Sequence, residues 1–191
     1  ERPRVTMSEV SSADHYRKAV QRMVERIGGG EFDKIVLARA KDLVADQQMD
    51  PLRALDGLRK KFPECFAFSV AAGKGPSFIG ASPERLVRGY GGMLTTEALA
   101  GSTKRGATEE EDQALGEALK ESEKDLREHR LVLDSILRRI QPMGLQLSYP
   151  EKPELRQLAN VQHLHTPIKT AMPVEVRLLD IISRLHPTPA V

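Results

Sequence analysis

The sequence predicts an α+β fold in which antiparallel sheets are flanked by helices. The first thirty residues contain a helical pattern that ends in three glycines. Residues 65–103 contain four short apolar runs separated by Gly, Pro and Ser, which is typical of an antiparallel meander. A long amphipathic segment, 107–144, then follows the strands and does not alternate with them. Because strands and helices are grouped in this way, α+β is favoured over a doubly wound sheet.

The composition is that of a globular chain long enough to bury a core. The 191 residues are 40% hydrophobic and 29% charged, and the net charge is only +2. No dense basic block indicates a nucleic-acid partner, and no apolar run reaches the roughly 18 residues of a membrane span. Cys65 is the only cysteine, which is typical of a reducing compartment. We therefore expect a cytoplasmic monomer that binds neither nucleic acid nor membrane.

Two helices and a strand are predicted before the meander. Ser11 begins the first helix, and the glycines at 28–30 end it. The run "DKIVLARAKDLV" predicts a strand with Lys34 at its mouth. Asp50 is the expected N-cap of the second helix, with Leu52 on its inner face.

The segment 107–144 predicts one long helix. Thr108 and Glu111 form a capping box at its start, and Gly144 lies near its end. A short element "VQHLHTPI" and a helix "PVEVRLLDIISRL" follow it. The predicted core stripe of the long helix is Leu115, Leu119, Leu126, His129, Leu133, Ile136, Leu137 and Ile140.

Two charged residues of the N-terminal half are candidates for proton transfer. Glu84 follows Pro83 between two apolar runs, so it lies outside a helix. As a solvated turn residue it has no chemical role, but if it faces inward its pKa rises and it becomes a proton donor. Lys34 is either a solvated strand-edge lysine or an inward-facing general base. The residues alone leave both alternatives open.

The long helix carries a candidate metal ligand. Glu128 forms either a salt bridge with Lys124, four positions earlier, or one carboxylate of a Mg²⁺ site on a half-apolar face. His163 and His165 could share one strand face, but two histidines without further ligands are weak evidence for zinc.

Taken together, six motifs resemble the chorismate-utilising enzyme family in order and approximate spacing. The resemblance covers nearly the whole chain from Lys34 to Val191 and is strongest to the isochorismate synthases of menaquinone or catechol siderophore biosynthesis. The motifs are "FDKIVLARA", "FIGASPERL", "EALAGSTKRG", "SEKDLREHRLV", "VQHLHTPI" and "LHPTPAV".

The resemblance implies a substrate, a cofactor and a set of site residues. The substrate is chorismate and the cofactor is Mg²⁺, with Glu128 as one metal ligand. Lys34 matches the general base, which activates water, and Glu84 matches the general acid. Gly101 matches a backbone contact to the substrate carboxylate. The positions that match residues lining the substrate ring are His163, Ala190 and Val191.

The sequence also departs from the family pattern. The family's C-terminal part, with a second magnesium glutamate, does not follow Val191. We therefore expect residues 1–191 to be part of a single chorismate-binding catalytic domain that lacks its C-terminal portion and is inactive, or nearly so, alone. The alternatives are a salicylate synthase, another chorismate-utilising enzyme such as one like anthranilate synthase component I, or a non-catalytic binding domain.

Overall fold

A computed structural model describes residues 3–189 as helices and antiparallel sheets, and the predicted α+β class is confirmed. The N-terminal elements are β1 (Val5–Glu9), α1 (Ala13–Gly28), β2 (Lys41–Ala45), α2 (Pro51–Lys61), β3 (Phe66–Ala71) and β4 (Ser77–Ser82). The C-terminal elements are β5 (Arg88–Tyr90), β6 (Met93–Lys104), α3 (Glu109–Glu121), α4 (Glu123–Ile140), β7 (Glu154–Gln157), β8 (Val161–Ala171) and α5 (Leu178–Leu185).

The strands form two small two-stranded sheets and one larger sheet. β1 pairs with β2, and β3 pairs with β4. The larger sheet has the order β5-β6-β8-β7, with every neighbouring pair antiparallel. The long strands β6 and β8 are central, so each is hydrogen-bonded on both sides over part of its length.

The core lies between one face of this four-stranded sheet and the helices α4 and α5. Along β8 the buried and partly exposed residues alternate, as expected for a strand with one face on the core. The opposite face carries His163 and His165, which remain partly accessible. The core cluster contains Leu94, Ala98, Val132, Leu133, Ile136, Ile140, Ile168, Ile181 and Leu185, among others.

The prediction of a strand beginning at Lys34 is wrong. Residues 34–40 have no regular secondary structure, and the strand begins only at Lys41, where β2 pairs with β1. Apolar residues alone do not make a strand, because the backbone also needs a hydrogen-bonding neighbour. Within residues 3–189, no strand pairs with the segment 34–40.

Three helix predictions also need correction. Ser12, not Ser11, caps α1, and its hydroxyl accepts a hydrogen bond from the His15 backbone N–H. The predicted long helix is two helices, because Ser122 ends α3 and its hydroxyl caps α4. Leu52 is 70% exposed, since α2 rests on β3 and β4 with other residues half-buried. Within the described part of the chain, no helix is both long and apolar enough to cross a membrane.

Candidate active site

Lys34 and Glu128 form an ion pair. The Lys34 Nζ lies 3.0 Å from the Glu128 Oε1, and the two side chains are 20% and 36% exposed. The alternative partner Lys124 is therefore wrong for Glu128, although Lys124 lines the same cavity. That cavity has a volume of about 510 Å³, which suits a small ligand. The irregular segment after α1 thus reaches helix α4 at a residue 94 positions away.

Glu84 lies half-buried in the loop that follows β4. The Ser82 hydroxyl accepts a hydrogen bond from the Glu84 backbone N–H at 3.3 Å and donates one to the Glu84 carbonyl oxygen at 3.2 Å. Burial raises the pKa of the Glu84 carboxyl, the negative charge of Glu97 raises it further, and the charge of Lys34 opposes both effects. Glu84 lines a cavity of about 690 Å³. Its surroundings therefore favour the protonated form more than those of a solvated turn glutamate.

Gly101 lies at a β-bulge in β6. Leu99 pairs with His165 and Ser102 pairs with His163, so two residues of β6 oppose one residue of β8. Gly101 has a φ of +78°, and a Cβ there would lie 3.1 Å from the Leu164 Cδ1 and 3.3 Å from the Asp125 carbonyl oxygen. Both the conformation and the close approach of α4 therefore favour glycine.

The bulge also places His163 next to Ser102. The Ser102 hydroxyl and the His163 Nδ1 are 2.7 Å apart. The Nε2 of His163 is buried and has no hydrogen-bond partner within the described residues. Burial lowers the pKa of this imidazole, so its neutral form is favoured. A buried polar atom without a partner is uncommon in folded proteins.

His129 ties the Glu128 helix to the same part of the sheet. Its Nδ1 lies 3.1 Å from the Ala100 carbonyl oxygen, and its Nε2 lies 2.7 Å from the Thr166 Oγ1. Because a carbonyl oxygen can only accept, the Nδ1 carries the proton and the Nε2 accepts from Thr166. Burial lowers the pKa of His129, consistent with a neutral ring. The metal-ligand candidate is therefore held in place by its buried neighbour.

The structure brings together some of the predicted site residues and separates others. Lys34 and Glu128 are paired, and Gly101 and His163 flank one bulge. Lys34 affects the pKa of Glu84, but the two residues line separate cavities. The remaining two predicted positions, Ala190 and Val191, lie outside the described residues.

Glu128, the predicted magnesium ligand, can be compared with the ligands that Mg²⁺ requires. Within residues 3–189, no group of three His, Cys, Asp or Glu side chains is arranged to share a metal ion. Glu128 nevertheless offers a partly exposed carboxylate at the edge of a cavity. Mg²⁺ is usually bound by one or two carboxylates together with ligand oxygens and water. Glu128 therefore fits the role of one ligand.

Glu97, which the sequence analysis did not assign to the site, lies close enough to act on the pKa of Glu84. The Glu97 carboxylate accepts hydrogen bonds from the Arg156 guanidinium at 2.9 Å, the His165 Nε2 at 3.0 Å and the Arg85 backbone N–H at 3.0 Å. Burial works to raise the pKa of Glu97, but these bonds and the charge of Arg156 lower it to about 2. The sequence signal was a charged residue inside a mostly apolar strand, which usually indicates a solvent-facing position.

Comparison with known proteins identifies the family. A family model described as "Chorismate binding enzyme" matches residues 1–191. The chain belongs to the chorismate-binding enzyme family. The family resemblance predicted from the six motifs is thereby confirmed.

The relatives of this chorismate-binding chain include isochorismate synthases. The "Salicylate biosynthesis isochorismate synthase" of Pseudomonas aeruginosa is 40% identical over 168 residues, which are 88% of this chain and 35% of that protein. Isochorismate synthase MenF of Bacillus subtilis is 34% identical over 186 residues, 97% of this chain and 39% of the relative.

A solved structure gives the same result for the fold. The menaquinone-specific isochorismate synthase MenF of Escherichia coli superposes with a TM-score of 0.90 at 31% identity. The match covers 99% of this chain and 44% of that one. The chain therefore spans less than half the length of each of these three relatives.

Proposed function

We propose that this chain carries the base and the acid of an isochorismate synthase, which converts chorismate to isochorismate with Mg²⁺. The single observation that carries the proposal is the Lys34–Glu128 contact at 3.0 Å, which pairs a potential base with a potential metal ligand. The names of the relatives support the reaction type. The raised pKa of Glu84 supports the second proton transfer.

Lys34 has the role of general base in this proposal. Its neutral amine accepts a proton from a water molecule as the water oxygen bonds to C2 of chorismate. In the structure the Lys34 amine is paired with the Glu128 carboxylate at 3.0 Å, and this contact holds the proposed base in place. Glu128 would also hold Mg²⁺, whose positive charge would supply an alternative partner for the carboxylate.

Glu84 has the role of general acid. Its protonated carboxyl donates to the C4 hydroxyl, which leaves as water while the ring double bonds shift. One water is added at C2 and one is lost from C4, so the product is an isomer of the substrate. The half-buried loop position suits a donor, because desolvation favours the protonated carboxyl.

The remaining predicted residues hold the substrate and the ion. Glu128 is one ligand for Mg²⁺, which when bound supplies positive charge to neutralise the ring carboxylate of chorismate. The Gly101 backbone N–H contacts a substrate carboxylate, and the neutral His163 lines the ring. Ala190 and Val191 are proposed to line the ring as well.

The test uses the native full-length chain with chorismate and Mg²⁺, with products separated by chromatography. We expect magnesium-dependent isochorismate, and a fall in kcat of about 10²- to 10⁴-fold for Lys34→Ala. Lys41→Ala is the matched control, because Lys41 forms a comparable ion pair with Glu9 at 3.2 Å and lies outside the site. Its kcat should equal that of the wild type.

Other products would change the proposal in defined ways. Salicylate would indicate pyruvate elimination after the first step, and an aminated product with ammonia would indicate an anthranilate-type enzyme. Absence of conversion and of magnesium-dependent chorismate binding would favour the non-catalytic binding domain. The expected inactivity of residues 1–191 alone stays a prediction, which the same assay on this chain tests.

A further inference from the structure

Glu97 binds the loop that carries Glu84. Its Oε1 accepts from the backbone N–H of Arg85, the residue directly after Glu84. The neighbouring Thr96 donates its hydroxyl proton to the Leu86 carbonyl oxygen at 2.7 Å. Two consecutive residues of β6 therefore hold two consecutive residues of the loop. These two bonds restrain the backbone directly after Glu84.

Glu97 and Glu84 have opposite surroundings. Both oxygens of Glu97 accept hydrogen bonds, with Arg156 and Arg85 on Oε1 and His165 on Oε2. Within residues 3–189, the Glu84 carboxyl makes no hydrogen bond or ion pair, although its backbone does. When two neighbouring carboxyl groups have such different environments, one stays ionised and the other can hold and donate a proton.

The charges around Glu84 are of both signs. Glu97 approaches from β6 and Lys34 from the segment before β2, and these two act on Glu84 in opposite directions. The other charged residues lining its cavity are Glu64, Arg85, Arg88 and Arg156. Arg156 is bound to Glu97, so it partly neutralises the anion that faces Glu84.

We propose that Glu97 is a positioning residue: it fixes the Glu84 loop to β6 and keeps a permanent negative charge beside Glu84, so that Glu84 holds the proton it donates. This inference rests on the proposed function for the donation step. Glu97 itself does not touch the substrate in this role, because all its bonds are made to Arg85, Arg156 and His165.

The first experiment measures the titration of Glu84 directly, without the reaction. ¹³C-glutamate is incorporated into the native full-length chain, the Glu84 carboxyl signal is assigned with Glu84→Gln, and its midpoint is followed by NMR. Glu97→Gln keeps the shape and the acceptor for the Arg85 N–H but removes the charge. We expect the midpoint to fall by about one pH unit.

A second variant should shift the Glu84 midpoint in the opposite direction, and a third variant serves as the control. Arg156→Gln removes the cation bound to Glu97 and should raise the Glu84 midpoint, which keeps the test valid if Glu97→Gln does not fold. Glu117→Gln removes an exposed carboxylate on α3 and should leave the midpoint unchanged. An equal Glu84 midpoint in the wild type, Glu97→Gln and Arg156→Gln would overturn the positioning role.

The kinetic readout separates this inference from the proposed reaction. In Glu97→Gln, the alkaline limb of the pH profile of kcat/KM should move to lower pH by the same amount as the NMR midpoint. If the Glu84 midpoint depends on Glu97 in a chain that does not convert chorismate, the proposed reaction is refuted and the influence of Glu97 on Glu84 is supported. Conversion of chorismate with an unmoved alkaline limb would refute the positioning role alone.

Discussion

The two halves of the described chain differ in how they are packed. From residue 3 to residue 93 no side chain is fully buried, and large apolar residues such as Phe66, Phe78 and Leu43 are 78%, 69% and 65% exposed. From residue 94 onward the four-stranded sheet and helices α4 and α5 enclose the core. Lys34 and Glu84 lie in the open half, while Glu128, Gly101 and His163 lie in the packed half. The site therefore spans the two.

The difference shows how each residue of the candidate site is held. Residues of the packed half are fixed by buried neighbours, as His129 fixes the helix turn that carries Glu128. In the open half, Lys34 is held by one ion pair and the Glu84 loop by a few polar bonds to β6. The proposed roles of Lys34 and Glu84 thus depend on individual polar contacts, which can be tested one at a time.

The largest expected effect on stability is the difference between truncating a buried leucine in the packed half and truncating an exposed leucine in the open half. Leu94→Ala, at 1% exposure, should lower the free energy of unfolding by about 2–5 kcal/mol. The same change at Leu43, at 65% exposure, should change it by less than about 0.5 kcal/mol. Urea unfolding followed by circular dichroism measures both. Equal losses would mean that the open half is packed as tightly as the sheet.

An intermediate effect is expected at Gly101. Gly101→Ala combines a positive φ with contacts of 3.1–3.3 Å to Leu164 and Asp125, whereas Gly144 has a φ of +74° and nothing within 4 Å of its added Cβ. The conformational cost should be about 1–2 kcal/mol in both. Crowding should add about 1–3 kcal/mol at Gly101 only.

Thermal unfolding of Gly101→Ala and Gly144→Ala separates the conformational cost from the crowding cost. If Gly144→Ala is as destabilising as Gly101→Ala, the approach of α4 to the bulge is not tight and the backbone conformation alone selects glycine there.

The smallest stability effect is expected for the Lys34–Glu128 pair. Partly exposed ion pairs contribute about 0–1 kcal/mol, so a double-mutant cycle of Lys34→Met and Glu128→Gln should give a coupling energy in that range. A cycle on Lys41 and Glu9, with side chains 32% and 33% exposed, should give a similar value. A coupling of several kcal/mol at the first pair alone would assign it a structural role.

The sequence predicted helix caps well, because at a cap one side chain accepts a hydrogen bond from one nearby backbone N–H. Asp50 accepts from the Leu52 N–H and Thr108 accepts from the Glu111 N–H, as the capping patterns indicate. The segment 34–40 was predicted wrongly because strand formation depends on a partner that local pattern does not contain. The break at Ser122 was missed because the apolar stripe continues across it with nearly the same period.

The sequence named candidate site residues, but it did not indicate the contacts between them. The motif resemblance pointed to Lys34, Glu84 and Glu128, but not to the ion pair, which joins distant segments. Glu97 was missed because a glutamate within a strand resembles a solvent-facing one. Its partners Arg156 and His165 come from β7 and β8, so only the sheet register brings the three together.

The bulge at Gly101 makes the length of β6 as important as its composition. Side chains along a strand alternate between faces, and one extra residue shifts every later position to the opposite face. Ser102 faces His163 only because two residues of β6 oppose one residue of β8 just before it. In an unbroken ladder of the same sequence, Gly101 would lie opposite His163 and Ser102 would lie on the other face of the sheet. The extra residue is thus what keeps the Ser102 hydroxyl within hydrogen-bond distance of the imidazole.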